Sequence, residues 1–315
     1  VDKIGVPLDE ITTVVNMDRG DINLFEAFGE VENELAIFSG LLEKIVLMAK
    51  QSYKTNAATE SIIEGTLREV LTEFYIEQRL WVANAKDNRD RIRLLHLPHE
   101  EYPRLQLFIA YLEKNYNALK NSVARDNEVL HAYSVLRTVF QDMLTSNGDL
   151  FNTFTSNRID HAIKAKRIIY TLEGCRRRGE GVMMAQYLNA LAFVVGQLQE
   201  GDVVIIHGLD LLTEPVKKYT RRQLTLLYEK GVRSVLLYRD LDIMFADREI
   251  NRFNEADYLL IGGMSKLQVN EFKNTIQQDF TEALSNLLIH TQSTRFFLRR
   301  GVDNIVFQND ILLGI

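Results

Sequence analysis

The spacing of apolar residues changes near the middle of the chain. Up to about residue 146, apolar residues recur every three or four positions, which is typical of amphipathic helices. Four stretches show this pattern: 30–50, a stretch that begins at the capping-box sequence 61–64, 104–120 and 127–145. Pro98 and Pro103 bracket a break between the second stretch and the third. Four such helices in succession predict a helical bundle.

The second half of the chain alternates short apolar or β-branched runs with helical stretches. The runs predict strands at 167–172, 203–206, 234–238 and 258–261. The stretches between them predict helices at about 182–199, 215–230 and 267–289. This alternation predicts a mostly parallel sheet with helices on both faces, in which the second and third strands are buried on both faces. Runs at 295–298 and 304–307 predict a closing hairpin.

These patterns divide the chain into three parts and predict an α/β fold with an all-α insertion. Residues 1–29 form the start of the α/β core, and Thr12-Thr13-Val14-Val15 is a candidate edge strand. Residues 30–146 form the helical insertion, which ends at the turn-rich sequence Ser146-Asn147-Gly148-Asp149. Residues 147–315 form the rest of the α/β core and end in the hairpin.

The amino-acid composition limits the classes of protein to which the chain can belong. The chain has 315 residues, of which 46% are hydrophobic and 25% charged, as in globular proteins of one or two domains. The net charge of −6 lacks the overall basic character of many nucleic-acid-binding proteins, although a local basic patch remains compatible with it. Cys175 is the single cysteine, which excludes an intrachain disulfide and indicates a reducing compartment.

The sequence also lacks targeting features. No apolar run is long enough to cross a membrane, and the first residues do not read as a signal peptide. The chain begins at Val1 instead of a methionine, and we take this as a sign that it belongs to a longer protein.

Polar residues follow the second strand of the α/β half. His207, Gly208 and Asp210 come directly after the apolar run 203–206. Ligands of open α/β sheets bind at the carboxyl ends of strands, and P-loop ATPases use an acidic residue there to hold Mg²⁺. Two interpretations stay open. Asp210 contacts a metal-bound water and His207 senses the γ-phosphate, or the strand and an ordinary turn are purely structural.

A phosphate-binding loop of the form G-x-x-x-x-G-K-[ST] does not occur in the sequence. The segment Gly262-Gly263-Met264-Ser265-Lys266 follows a predicted strand and precedes a predicted helix, but its spacing is different. Gly262 and Gly263 are therefore candidate phosphate contacts, or they relieve backbone crowding at the edge of the sheet.

Arginines cluster near the predicted strand ends. They are Arg176, Arg177, Arg178, Arg221, Arg222, Arg239, Arg299 and Arg300. An arginine from a neighbouring subunit can stabilise the charge of phosphoryl transfer, and a cluster can bind a nucleic-acid backbone. The alternative is a solvated charged face.

Several short segments resemble a known family when they are taken in chain order. Asp21-Ile22-Asn23-Leu24-Phe25 resembles an "I-N-P-F" step into a helical insertion, and Gly148-Asp149-Leu150-Phe151 resembles a "G-x-x-F" return. Segment 168–174 resembles the strand "F-D-L-S-G", and 203–208 occupies the place of the Walker B strand. Segments 256–262 and 296–298 resemble the closing strands. Over nearly its whole length the chain resembles the large ATPase of type IV secretion and conjugation systems, in its TraE/TrsE-like form, within the FtsK–HerA superfamily.

The resemblance implies an incomplete P-loop, RecA-like core with a helical insertion, in a carboxy-terminal fragment whose Walker A segment lies upstream of Val1. It implies ATP and Mg²⁺ as cofactors of the full-length protein, with weak nucleotide binding and no efficient hydrolysis by this chain alone. His207, Asp210 and Arg239 would be catalytic, with Arg239 near the place of a polar sensor. Gly208, Gly262 and Gly263 would bind nucleotide. His207-Gly208 stands where the family has its acidic pair, so the resemblance does not extend to that part of the Mg²⁺ site.

The resemblance also implies partners and a location. Members power assembly of the transfer channel and the movement of DNA or protein, as oligomers, often hexamers, at the cytoplasmic face of the membrane. Their partners include a coupling ATPase and membrane channel subunits, and arginines from a neighbouring subunit complete each site. Two alternatives stay open: a non-catalytic interaction module with a decayed nucleotide site, and a DNA-binding motor related to coupling proteins. The second would use Arg176, Arg177, Arg178, Arg299 and Arg300.

Overall fold

The structure is a computed structural model that describes residues 11–123, 126–239, 241–246, 256–289, 295–301 and 303–308. The first ten residues of the predicted α/β start lie outside these ranges. The chain divides into two compact units, Val1–Glu200 and Gly201–Ile315. In the described part of the chain, no helix is both long and apolar enough to cross a membrane.

The first unit contains the four predicted amphipathic helices. They are α1 (Glu34–Lys50), α2 (Ala57–Glu77), α3 (Leu105–Lys120) and α4 (Asn127–Phe151). Their apolar faces meet in an aromatic core in which the rings of Phe74 and Phe140 lie 5.1 and 5.0 Å from that of Phe108. These edge-on contacts add to the burial of apolar area, which is the main stabilising force here.

Two helix boundaries differ from the sequence prediction. Helix α2 begins at Ala57, because the Asn56 side chain accepts a hydrogen bond from the Thr59 amide at 3.0 Å; the predicted start at Ser61 is wrong. Helix α4 continues to Phe151 across the expected turn at 146–149. Asn147 alone leaves the helical conformation (φ −142°, ψ 33°), so the turn-rich sequence produces a kink.

The first unit also contains a parallel strand pair. Strand β1 (Thr12–Asn16) pairs with β2 (Arg167–Thr171), and both strands were predicted. The helices around the pair are α5 (Asn157–Ala162), α6 (Glu173–Arg178) and α7 (Glu180–Gln197). The sequence predicted α7 but not the two short helices, which are too brief to show periodicity.

The second unit begins with another parallel pair, β3 (Val203–His207) and β4 (Arg233–Leu237). Helix α8 (Glu214–Glu229) connects the two strands, with Pro215 in its first turn, and α9 (Leu241–Ala246) follows β4. The prediction that β3 and β4 are buried on both faces is wrong. In β3, Val204 and Ile206 are buried, whereas Val203 and Ile205 are 51% and 62% exposed. In β4, none of the five residues is buried.

The rest of the second unit is a three-stranded antiparallel sheet with two helices. Its strands are β5 (Leu259–Ile261), β6 (Arg295–Arg300) and β7 (Asp303–Gln308), which confirms the predicted hairpin. The predicted single helix at 267–289 is wrong, because α10 (Lys266–Ile276) and α11 (Glu282–Ile289) are separate. Gln277 ends α10 in the left-handed region (φ 51°). Phe272 and Phe297 lie at the centre of this part's core.

Candidate functional site

Strands β3 and β4 bring three predicted site residues to one edge of their sheet. The strands are parallel and His207 pairs with Leu237, so the segments that follow them leave the sheet on the same side. His207 ends β3, Asp210 lies in the 3-10 turn Leu209–Leu211, and Arg239 follows β4 by two residues. This edge is where open α/β sheets bind ligands.

Gly208 makes the turn between β3 and this 3-10 segment. Its φ of 85° lies in the left-handed region, which strains any residue with a Cβ atom. Its carbonyl oxygen accepts a hydrogen bond from the Leu211 amide at 3.0 Å. The glycine is therefore required by the backbone path that carries the chain from the strand to Asp210.

Asp210 is the residue of this edge with unused bonding capacity. Its Oδ1 atom is buried and has no hydrogen-bond partner among the residues that the structure describes. A buried carboxylate oxygen without a donor is costly, so a cation or a bound water would stabilise it. His207 and Arg239, at the same edge of the sheet, are exposed and are available to a ligand from solvent.

The residues present fit one part of a nucleotide–magnesium site. Proteins hold Mg²⁺ through one or two carboxylates together with substrate phosphates and waters. Asp210 can supply one such carboxylate, whereas the sequence contains no phosphate-binding loop. Within the described ranges, no group of three or more histidine, cysteine, aspartate or glutamate side chains could hold a metal by itself.

Gly262 and Gly263 follow β5, which belongs to the antiparallel sheet and not to the β3–β4 pair. Gly262 does not relieve crowding, because an added Cβ atom would meet nothing within 4 Å. Ser265 caps α10 in a capping box with Gln268. This segment is a helix entry, and the phosphate contact at these glycines stays a prediction.

Several of the candidate arginines have partners in the structure. In the first unit, Arg178 forms a two-bond ion pair with Asp149 at 2.8 and 2.7 Å, which lowers the pKa of Asp149. Arg177 pairs with Glu173 at 3.3 Å, and Arg176 is exposed. These contacts favour a structural role for Arg178.

The hairpin arginines also make contacts inside the second unit. Arg299 donates a hydrogen bond to the Gln278 side chain at 2.8 Å, and the Arg300 guanidinium lies 5.8 Å from the centre of the Tyr258 ring. Arg299 thus holds β6 against the segment that follows α10.

Sequence reasoning missed a buried polar cluster in the first unit. Lys44 of α1 is fully buried and donates a hydrogen bond to the Asn189 side chain of α7 at 3.0 Å. Burial lowers the pKa of Lys44 to about 7, although the nearby Glu26 carboxylate acts in the opposite direction. The available signal was a lysine inside the apolar run of α1, between Leu42 and Ile45.

Comparison with solved structures then identifies the fold. The structure of VirB4 of Thermoanaerobacter pseudethanolicus matches 95% of this chain and 76% of its own, with a TM-score of 0.70 and 14% sequence identity. The chain has a VirB4-like fold. The bacterial conjugative coupling protein TrwBdeltaN70 matches 95% of this chain and 73% of its own, with a TM-score of 0.55 and 10% identity.

These matches confirm the fold that the sequence resemblance implied, an α/β type IV secretion and conjugation ATPase-like fold with helical regions. At 14% and 10% identity, the likeness establishes the fold alone. No protein-family model matches the chain, and no curated protein matches it.

Proposed function

We propose that the chain is the carboxy-terminal part of an ATPase domain from a longer conjugation or type IV secretion ATPase. The observation that carries the proposal is the VirB4 fold over 95% of the chain, with Asp210 at the carboxyl edge of β3. The longer protein would power channel assembly and the transfer of DNA or protein. This chain would supply one wall of its nucleotide site.

In this proposal the chain's own residues have distinct roles. Asp210 would hold a water of a Mg²⁺ shell through its unpaired Oδ1 atom, and His207, which is exposed at the end of β3, would be available to the γ-phosphate. Arg239 stabilises negative charge from the end of β4. Because the phosphate-binding loop is missing from the sequence, ATP binds weakly to this chain alone.

The proposal extends to partners that share the secretion function. They are other type IV secretion or conjugation proteins, including a coupling ATPase and channel subunits, with DNA as a further partner. The longer protein would act as a hexamer at the cytoplasmic face of the membrane. Arg176 is the exposed member of its cluster and is the best placed of the three to act outside its own chain.

A turnover measurement tests this function. The longer protein, with its phosphate-binding loop, should hydrolyse ATP in the presence of Mg²⁺, and the chain alone should not. Asp210→Asn in the longer protein should lower turnover by about 10–100-fold, as the loss of an outer-shell metal contact does. Arg239→Ala should also slow hydrolysis.

Arg233→Ala is the matched control, because Arg233 is an exposed arginine at the opposite end of β4. It should leave turnover unchanged. Equal losses from Arg233→Ala and Arg239→Ala would remove Arg239 from the site. Hydrolysis by the chain alone would show that a phosphate-binding loop is not needed.

A non-catalytic interaction module is the second candidate. The observation that favours it is His207-Gly208 at the end of β3, where an ATPase of this fold would use an acidic pair. This alternative would be supported if the longer protein does not hydrolyse ATP in the presence of Mg²⁺, even when it is assembled into oligomers.

A further inference from the structure

Segment 20–27 joins β1 to the helices of the first unit and is buried along its whole length, although it lies outside helices and strands. Side chains from distant elements satisfy its backbone. Asn189 donates to the Ile22 carbonyl oxygen at 2.8 Å, and the Tyr75 hydroxyl donates to that of Phe25 at 2.6 Å. The Asn23 amide donates to the Thr155 hydroxyl at 3.0 Å. The segment is thus a buried junction that depends on side-chain contacts.

Glu26 is the ionisable group at the end of this junction. It is 4% exposed, and its Oε1 atom lies 2.8 Å from Nδ1 of His99. Its Oε2 atom has no hydrogen-bond partner within the part of the chain that the structure describes. His99 therefore forms the direct link between the buried carboxylate and the surface, since the imidazole is partly exposed.

Both nitrogens of His99 face carboxylates. Nε2 lies 3.2 Å from Oδ2 of Asp160, a half-exposed residue of α5. A neutral imidazole carries one N–H and can donate to one of the two carboxylates, whereas the imidazolium donates to both. When both carboxylates are ionised, the geometry requires the charged form of His99.

Burial and neighbouring groups shift the pKa values of both His99 and Glu26. Burial lowers the pKa of His99, but Glu26 and Asp160 outweigh it, and the net shift is upward. Burial raises the pKa of Glu26, against the opposing effects of Thr155, His99 and Lys44. Glu26 and Asp160 are the charged groups that face His99, and Lys44 acts on it through Glu26.

We propose that His99 is a pH-dependent latch that holds the buried junction 20–27 to α5. The protonated ring ties Glu26 to Asp160, and loss of the proton leaves one of these carboxylates without a donor. The junction then opens more often, and β1 is held less firmly to the helices. Because the pKa of His99 is raised in the folded chain, its positive charge stabilises the fold fully below the pKa of the unfolded chain, which is about 6.5. This stabilisation is lost as the pH rises through the pKa of His99 in the folded chain.

Hydrogen exchange on the intact chain tests the latch. Protection of the backbone amides in 20–27, corrected for the intrinsic pH dependence of exchange, should fall several-fold between about pH 6 and 8.5. In His99→Gln, whose amide cannot take a charge, this fall in protection should be absent. His131→Gln, at an exposed histidine of α4, should behave as the wild type.

Ring titration by NMR gives an independent readout. The His99 resonance, assigned by its loss in His99→Gln, should titrate above the pKa of about 6.5 that a free histidine has. Asp160→Asn removes the charge of a half-exposed residue, so it should move the His99 midpoint downward and shift the exchange transition with it. An unmoved midpoint in Asp160→Asn would overturn the proposal, as would wild-type pH dependence in His99→Gln.

Discussion

Lys44 places an ammonium group where water cannot reach it. Its pKa in the folded chain is about 7, against about 10.4 for a free lysine, so the unfolded chain binds more protons between these values. The free energy of unfolding should therefore rise with pH from 7 to 10, by an amount on the order of a few kcal/mol. Lys44→Met keeps the volume but removes this pH dependence. Denaturant unfolding at about pH 7 and 9.5 measures the effect.

Lys50→Met is the control for that experiment. Lys50 lies on the same helix, but it is partly exposed and pairs with Glu60 and Glu64. Burial opposes its charge, yet these carboxylates raise the pKa of Lys50, so it stays protonated through the same range. Lys50→Met should keep the wild-type rise in stability. A rise that survives in Lys44→Met would show that Lys44 is not its source.

Tyr75 provides a second test at the scale of one residue. Its hydroxyl donates to the Phe25 carbonyl oxygen, and both residues are fully buried. Tyr75→Phe removes the donor and leaves the carbonyl buried, which should cost about 1–3 kcal/mol of unfolding free energy. Tyr116→Phe is the comparison, because that ring is partly exposed under the Arg137 guanidinium. It should change stability by less than about 0.5 kcal/mol. Equal losses of unfolding free energy in the two variants would show that the buried hydrogen bond contributes no more to stability than the partly exposed tyrosine does.

At the scale of elements, helix α7 packs unusually close to the end of the buried junction. A Cβ atom added at Gly196 would lie 2.7 Å from the carbonyl carbon of Phe28, which is backbone and cannot move aside easily. Gly196→Ala should therefore destabilise the first unit by about 1–3 kcal/mol. Gly65 is exposed within α2 and an added Cβ meets nothing within 4 Å. Gly65→Ala should stabilise by about 0.5–1 kcal/mol. In thermal unfolding, the midpoint should fall in Gly196→Ala and rise in Gly65→Ala.

Periodicity predicted the elements that carry a long signal. The helices at α1 and α3 and the strands at β2, β3 and β6 follow from apolar spacing in the sequence. Periodicity did not predict the helix ends that depend on the conformation of a single residue. Gln277 ends α10 in the left-handed region without a glycine to signal it, and Asn56 starts α2 before any apolar residue appears. Neither event changes the apolar pattern that the prediction used.

The candidate site was predictable only in part, for a related reason. His207 ends β3, Asp210 and Arg239 come shortly after β3 and β4, and parallel pairing alone brings these strand ends to one edge. The lysine inside the apolar run of α1 is a local signal for Lys44, but no local pattern shows that Glu26 and His99 lie near it, because the three residues come from separate segments. Contacts of this kind depend on how the helices pack, which spacing along the chain does not encode.

At the scale of the whole molecule, the division into Val1–Glu200 and Gly201–Ile315 predicts two unfolding transitions. Trp81 is the single tryptophan, so its fluorescence reports the first unit, while circular dichroism reports both. Phe297→Ala empties the core of the second unit and should cost about 3–5 kcal/mol there. It should move one dichroism transition and leave the fluorescence midpoint in place, whereas Gly196→Ala should move the fluorescence midpoint. If Phe297→Ala shifts the Trp81 signal as far as the dichroism, the chain unfolds as a single cooperative block.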